Sequence, residues 1–90
     1  MMMTNNITKE KIKKEIDKWD PIGLLDIAPA DEYSGEVDEI YNRLQKYSQI
    51  NEAVLAGVIF VVFVRKFGSL FTAKFGKDDC FEVARHILEA

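Results

Sequence analysis

Between Glu52 and Arg65 the chain reads Ala53-Val-Leu-Ala-Gly-Val-Ile-Phe-Val-Val-Phe-Val64, twelve residues without a charge. Its second half, Val58 to Val64, is rich in β-branched and aromatic side chains, which suits a strand. The flanks argue otherwise. Ser48 or Asn51 offers a helix N-cap, Gly68 offers a C-terminal stop, and Arg65 and Lys66 lie where a helix dipole favours cations. About sixteen residues between two good caps exceed an ordinary strand, so the spacing predicts a helix from Ala53 to about Phe67. Twelve apolar residues also fall short of the roughly 20 that cross a bilayer. A helix apolar on every face belongs at the buried centre of a domain. The expected fold is therefore all-α, a compact single-domain bundle of about four helices around this apolar third helix.

The neighbouring segments supply the other helices. Asn6 and Thr8 offer N-cap oxygens ahead of Lys9, and Ile12, Ile16 and Trp19 recur at intervals of four and three, which predicts a first helix over about 8–19. Asp20-Pro21 ends it, because the proline ring disfavours helical backbone at Asp20. Ile22 to Ala30 has no helical period, so it reads as an apolar loop lying across the core. Pro29, Asp31 and Glu32 are residues that a helix start prefers, which places a second helix from near 30. Tyr33, Val37, Ile40, Tyr41, Leu44 and Tyr47 form its apolar side, with Gly35 placed to bend or split the first turn. Ser69 to Lys77 fits a short helical turn or a loop. Asp79 stands three residues ahead of Glu82 with capping-box spacing, and Phe81, Ala84, Ile87 and Leu88 follow, so a last helix is expected over about 79–89. The domain spans 1–90, with residues 1–6 expected to be disordered.

Ninety residues bury only about 60 to 65% of their unfolded surface, which excludes a large enzyme with a separate cofactor domain. A hydrophobic fraction of 48% with 30% charged residues excludes a disordered chain. A net charge of −3 makes nucleic acid a poor partner. The single cysteine, Cys80, forms no intrachain disulfide, and Met1 to Lys14 lack the apolar run of a secretory signal, so a reducing, cytoplasmic location is expected.

Chemistry-bearing constellations are sparse. His86 is the one histidine, six residues after Cys80, a spacing that puts the two on different parts of a helix surface. There is no Cys-x-x-Cys, no His-x-x-x-His and no glycine-rich phosphate loop, so no cofactor and no metal are expected. Asp20, Asp26, Asp31 and Glu32 lack the alternation and central glycine of a calcium loop. The expectation is a chain that is not an enzyme.

Charge distribution is the stronger signal. Residues 1–14 carry +3, 15–39 carry −8 and 40–90 carry +2. Glu15, Asp17, Asp20, Asp26, Asp31, Glu32, Glu36, Asp38 and Glu39 straddle the loop between the first two helices, and are expected to converge on one acidic face. Such a face would attract a basic partner over a long range. Trp19 reads as a wedge that locks the loop onto the core, and Asp20 as an Asx-turn residue. Tyr33 is placed to contact a partner from the rim.

Trp19-Asp20-Pro21-Ile22, then Pro29, then Asp31-Glu32-Tyr33 and Glu36 resemble the signature of a family of small bacterial α-helical domains of unknown function. Some relatives in that family look like immunity proteins of polymorphic toxin systems, including contact-dependent growth inhibition. The resemblance implies a helical fold in which Trp19, Pro21, Ile22 and Pro29 shape the loop and Asp31, Glu32 and Tyr33 open the second helix. It also implies a cognate toxin domain as partner. Joined to the charge distribution, it gives the leading expectation: a cytoplasmic immunity protein that occludes the basic cleft of a toxin, such as a nuclease, with an acidic face. The partner-binding set is Asp17, Asp20, Asp26, Asp31, Glu32, Tyr33, Glu36, Asp38 and Glu39, with no membrane partner. The alternative is a structural or regulatory homo-oligomer, such as a homodimer packed through Ile22 to Ile27 or Ala53 to Val64.

Overall fold

The structure is a computed structural model that describes residues 7–23 and 33–89. Five helices follow one another: α1 (Lys9–Trp19), α2 (Ser34–Leu44), α3 (Glu52–Phe67), α4 (Ser69–Thr72) and α5 (Lys77–Glu89). Among the described residues there is no strand. The all-α expectation is met, and the valine-rich run is helical. Its Cα radius of gyration of 12.3 Å matches the about 12 Å of a compact chain of this length.

Local chemistry fixes most of the helix ends. Thr8 Oγ1 accepts from the Lys11 N–H at 3.1 Å and starts α1. Asn51, not Ser48, caps α3, its Oδ1 accepting from the Val54 N–H at 2.8 Å. Gly68 at φ 56° ends α3 by donating its N–H to the Val64 carbonyl at 2.8 Å, a backbone angle that glycine adopts without strain. The segment left open between turn and loop is helical over Ser69–Thr72, and Phe71 from it is fully buried.

Two starts differ from expectation. Helix α2 begins at Ser34 rather than near 30, because Tyr33 is held at φ −93°, ψ 8° as its cap by tertiary contacts described below. Residues 24–32, with Pro29, Asp31 and Glu32 and most of the expected apolar loop, lie outside the described residues, as do residues 1–6. Helix α5 begins at Lys77, before the expected Asp79. Asp79 acts from inside the first turn, its Oδ2 accepting from the Gly76 N–H at 2.9 Å, which is the return half of a capping box.

Helix α3 is the hub of packing: α5, α2 and α4 lie against it, while α1 closes the bundle across α2 and α5. Its Leu55, Ala56, Val58, Ile59, Val62 and Phe63 are buried with Ile12 and Ile16 of α1, Val37 and Ile40 of α2 and Cys80, Ala84 and Ile87 of α5. The neighbours do not enclose it on every side, however. Ala53 and Val61 are exposed and Val54, Gly57, Phe60 and Val64 are half-buried, so one apolar face of α3 stays at the surface. The expectation of a fully surrounded third helix is corrected in that respect: three neighbours cover only part of the circumference. No helix of the described residues is long and apolar enough to cross a membrane.

Candidate functional site

The turn after α1 organises the junction with α2. Asp20 takes up left-handed backbone, φ 45° and ψ 59°, and donates its N–H to the Ile16 carbonyl at 2.8 Å. Aspartate tolerates this region better than most side chains, at a cost of about 1 kcal/mol. The Tyr33 hydroxyl donates to Asp20 Oδ1 at 2.7 Å and accepts from the Ile22 N–H at 3.1 Å. A single hydroxyl thus joins two strongly polar groups of the turn to the start of α2, across 13 and 11 residues of chain.

This corrects the expected role of Tyr33. Its side chain is fully buried, with the ring edge-on to Phe63 at 6.0 Å and to Phe67 at 6.5 Å, so it presents nothing to a partner from a rim. Trp19 is a wedge, as read from the sequence: its ring stands edge-on to Phe63, Phe71 and Phe75 at 5.7, 5.7 and 5.2 Å. Trp19, Asp20, Ile22 and Tyr33, four of the residues that carried the resemblance, are structural members of this junction; Pro29, Asp31 and Glu32 lie outside the described residues.

The carboxylates expected to share a face are met one at a time by bases of the same chain. Asp17 pairs with Lys13 at 2.5 Å, one turn away on α1. Asp38 of α2 pairs with Lys9 of α1 at 3.3 Å. Glu39 takes both Nε and Nη2 of Arg43 on one oxygen, at 3.0 and 2.9 Å. Glu36 is only 4% exposed and points under Lys66 of α3, Oε2 to Nζ at 3.7 Å, while its Oε1 is buried with no hydrogen-bond partner among the described residues. Glu15, though on the acidic segment, is buried against α5, with Lys18 at 3.6 Å and His86 Nδ1 at 4.0 Å. Asp20 is in the clasp, and Asp26, Asp31 and Glu32 lie outside the described residues. Asp38 and Glu39 are the well-exposed members, at 57% and 47% for the side chain.

Nucleophilic chemistry has a poor setting here. Cys80 is fully buried on the core side of α5, whereas His86 is on its exposed side. Burial, aided by the Asp79 carboxylate, pushes the Cys80 thiol up to about 12, far from the thiolate that a nucleophile requires. Among the described residues no three His, Cys, Asp or Glu side chains are grouped to hold a metal ion.

A surface that the acidic pattern did not point to begins beside Glu39, at its partner Arg43. The C-terminal part of α2 and the outward face of α3 enclose a shallow groove of about 690 Å³, with Arg43, Lys46 and Tyr47 on one side and Ala53, Gly57 and Val61 along the floor. The signal was present in the sequence: a helix with no charge from 53 to 64 must expose apolar atoms wherever a neighbour is missing. A smaller groove of about 270 Å³ between α1 and α5 is lined by Glu15, Trp19, Glu82 and His86 among others. No family model, no curated protein and no solved structure matches the chain.

Proposed function

We propose that the chain is a non-enzymatic protein-binding domain of the bacterial cytoplasm, an immunity protein that neutralises a cognate toxin by covering a basic surface with its acidic segment. The observation that supports this reading is the state of Asp38 and Glu39. Both project from α2 into solvent, and among the described residues each is held by one surface ion pair, with Lys9 and with Arg43. Exposed pairs of this kind contribute about 0 to 1 kcal/mol. A basic toxin side chain can therefore replace Lys9 or Arg43 at little cost. Occlusion requires no bond to be made or broken, and it leaves the core untouched.

Charge reversal is the direct test. Asp38→Lys together with Glu39→Lys changes surface residues only, and is expected to weaken binding to the cognate toxin by about 10- to 100-fold at low salt. The wild-type affinity should itself fall as salt rises. Unchanged affinity with unchanged salt dependence overturns the acidic-face mechanism. Glu36 is unsuited to this test, since removing a buried carboxylate beside Lys66 perturbs the α2–α3 packing as well.

A further inference from the structure

The outward face of α3 poses a different question, because its floor is apolar and the side chains lining its α2 side are Arg43, Lys46 and Tyr47. From Ala53 to Val64 every residue on that face is apolar, in a helix about 24 Å long. Surface helices of small domains normally present a polar stripe to water. This one presents Ala53, Gly57 and Val61, with Val61 40% exposed.

Basic side chains line the α2 side of the groove, and others stand near the rest of the face: Arg65 follows Val61 by one helical turn on α3. Lys46 and Arg65 are exposed and make no ion pair among the described residues. Arg43 stands beside Lys46 on the groove wall. On the α5 side, the Lys77 ammonium lies 5.8 Å from the centre of the half-buried Phe60 ring. Of the acids nearby, Glu39 holds Arg43 and Glu52 holds Arg85, and the exposed Asp78 adjoins Lys77 in sequence, so Lys46 and Arg65 are the cations beside this face left for a partner among the described residues.

We propose that this groove seats an amphipathic helix of a partner protein whose apolar stripe is flanked by acidic residues. The floor supplies the hydrophobic contact, and its small side chains let a second helix backbone come close. The rim supplies selection by charge. A second copy of this chain fits worse. In a twofold pair, Arg43, Lys46 and Arg65 would face their own mates or Lys77 of the other copy, so like charges would meet on both flanks. A bilayer also fits worse, because the groove is concave and its floor lacks the long apolar side chains that reach into a lipid interface.

The test uses the full chain and two synthetic helical peptides of about 18 residues with the same leucine stripe, one flanked by glutamates and one by lysines. The glutamate peptide is expected to bind at least about tenfold tighter. Its amide shift changes should fall on Lys46, Gly57 and Val61. Lys46→Glu with Arg65→Glu should reverse the preference between the peptides. Val61→Glu, an exposed position whose change should leave the helical circular dichroism intact, should abolish binding of both. Equal binding of the two peptides overturns the proposal, as do shift changes on another face and absence of binding of either peptide up to about 1 mM. A dimer in light scattering that Val61→Glu dissolves assigns the face to a second copy instead. Attachment to phosphatidylserine vesicles without discrimination between peptides assigns it to lipid.

Discussion

Phe63 and Phe67 make one side of α3, covered by Trp19, Tyr33 and Phe71; Ala53, Gly57 and Val61 make another, and both come from the same apolar helix. On the first side every ring has a ring against it: Phe63 stacks on Phe67 at 5.7 Å and on Phe71 at 5.4 Å, and Phe71 stacks on Phe75 at 5.5 Å. On the second side the apolar atoms meet solvent. The difference teaches that hydropathy marks what needs covering, while the geometry of the neighbours decides what the chain covers itself. The same holds for charge, since Asp17, Glu36, Asp38 and Glu39 find bases within the chain while, among the described residues, Lys46 and Arg65 find no acid.

The contrast is easiest to break on the closed side. Phe63→Ala removes a fully buried ring that touches Trp19, Tyr33, Phe67 and Phe71, and is expected to lower unfolding free energy by about 3–5 kcal/mol in urea titration. A loss below about 1 kcal/mol would mean that the aromatic side is not the folding core.

The second effect belongs to Cys80. Its folded thiol titrates near 12, above the 9.0 of an unhindered cysteine, so the unfolded state loses its proton first as pH rises. Stability from this group is therefore complete below about pH 9 and falls by about 1.4 kcal/mol per unit up to about pH 12. Cys80→Ala should flatten that alkaline limb relative to the wild type, and a thiol reagent at pH 8 should label Cys80 only at the rate of opening. Immediate labelling would show that α5 does not seal the core.

Tyr33→Phe keeps the ring and deletes the hydroxyl, leaving Asp20 Oδ1 and the Ile22 N–H without it. The expected cost is about 1–3 kcal/mol. A neutral result in thermal melts would reduce the clasp to packing alone. On the open side, Val61→Ser should change stability by no more than about 0.5 kcal/mol. A larger loss would mean that this face is already covered within the chain, and would erase the contrast between the sides.

The legibility of the sequence divides along physical lines. Helices were readable where a side chain within three or four residues sets the boundary, as Thr8, Asn51 and Gly68 do. The start of α2 was not, because the position of Tyr33 depends on Asp20 and Ile22, far back in the chain. The spacing of Asp79 and Glu82 marks a helix start but not its phase: Asp79 answers the Gly76 N–H from inside the first turn, and a box reads similarly from either end. The acidic patch was drawn from composition by segment, which misses that Lys9 reaches Asp38 and Lys66 reaches Glu36 across helices. The burial of Tyr33 was equally hidden, since its spacing with Val37 and Ile40 indicates a face and not a depth. The open face of α3 was written in the twelve uncharged residues, yet which side remained bare depended on where α2 and α5 settle.

The hydroxyl that ties Asp20 to Tyr33 has a consequence for how freely the chain can be rewritten. Gly23, hydrogen-bonded to the Asp20 carbonyl at 3.1 Å, and Tyr33 are both anchored to the same turn, so the ends of the span between them are brought together by the anchors themselves. Loop closure becomes dearer only logarithmically, by about 0.6 kcal/mol for each doubling of length. Substitution at the anchors themselves should therefore cost more than any change in the length of chain they close: Asp20→Ala should uncouple the end of α1 from the start of α2 and lower the melting temperature.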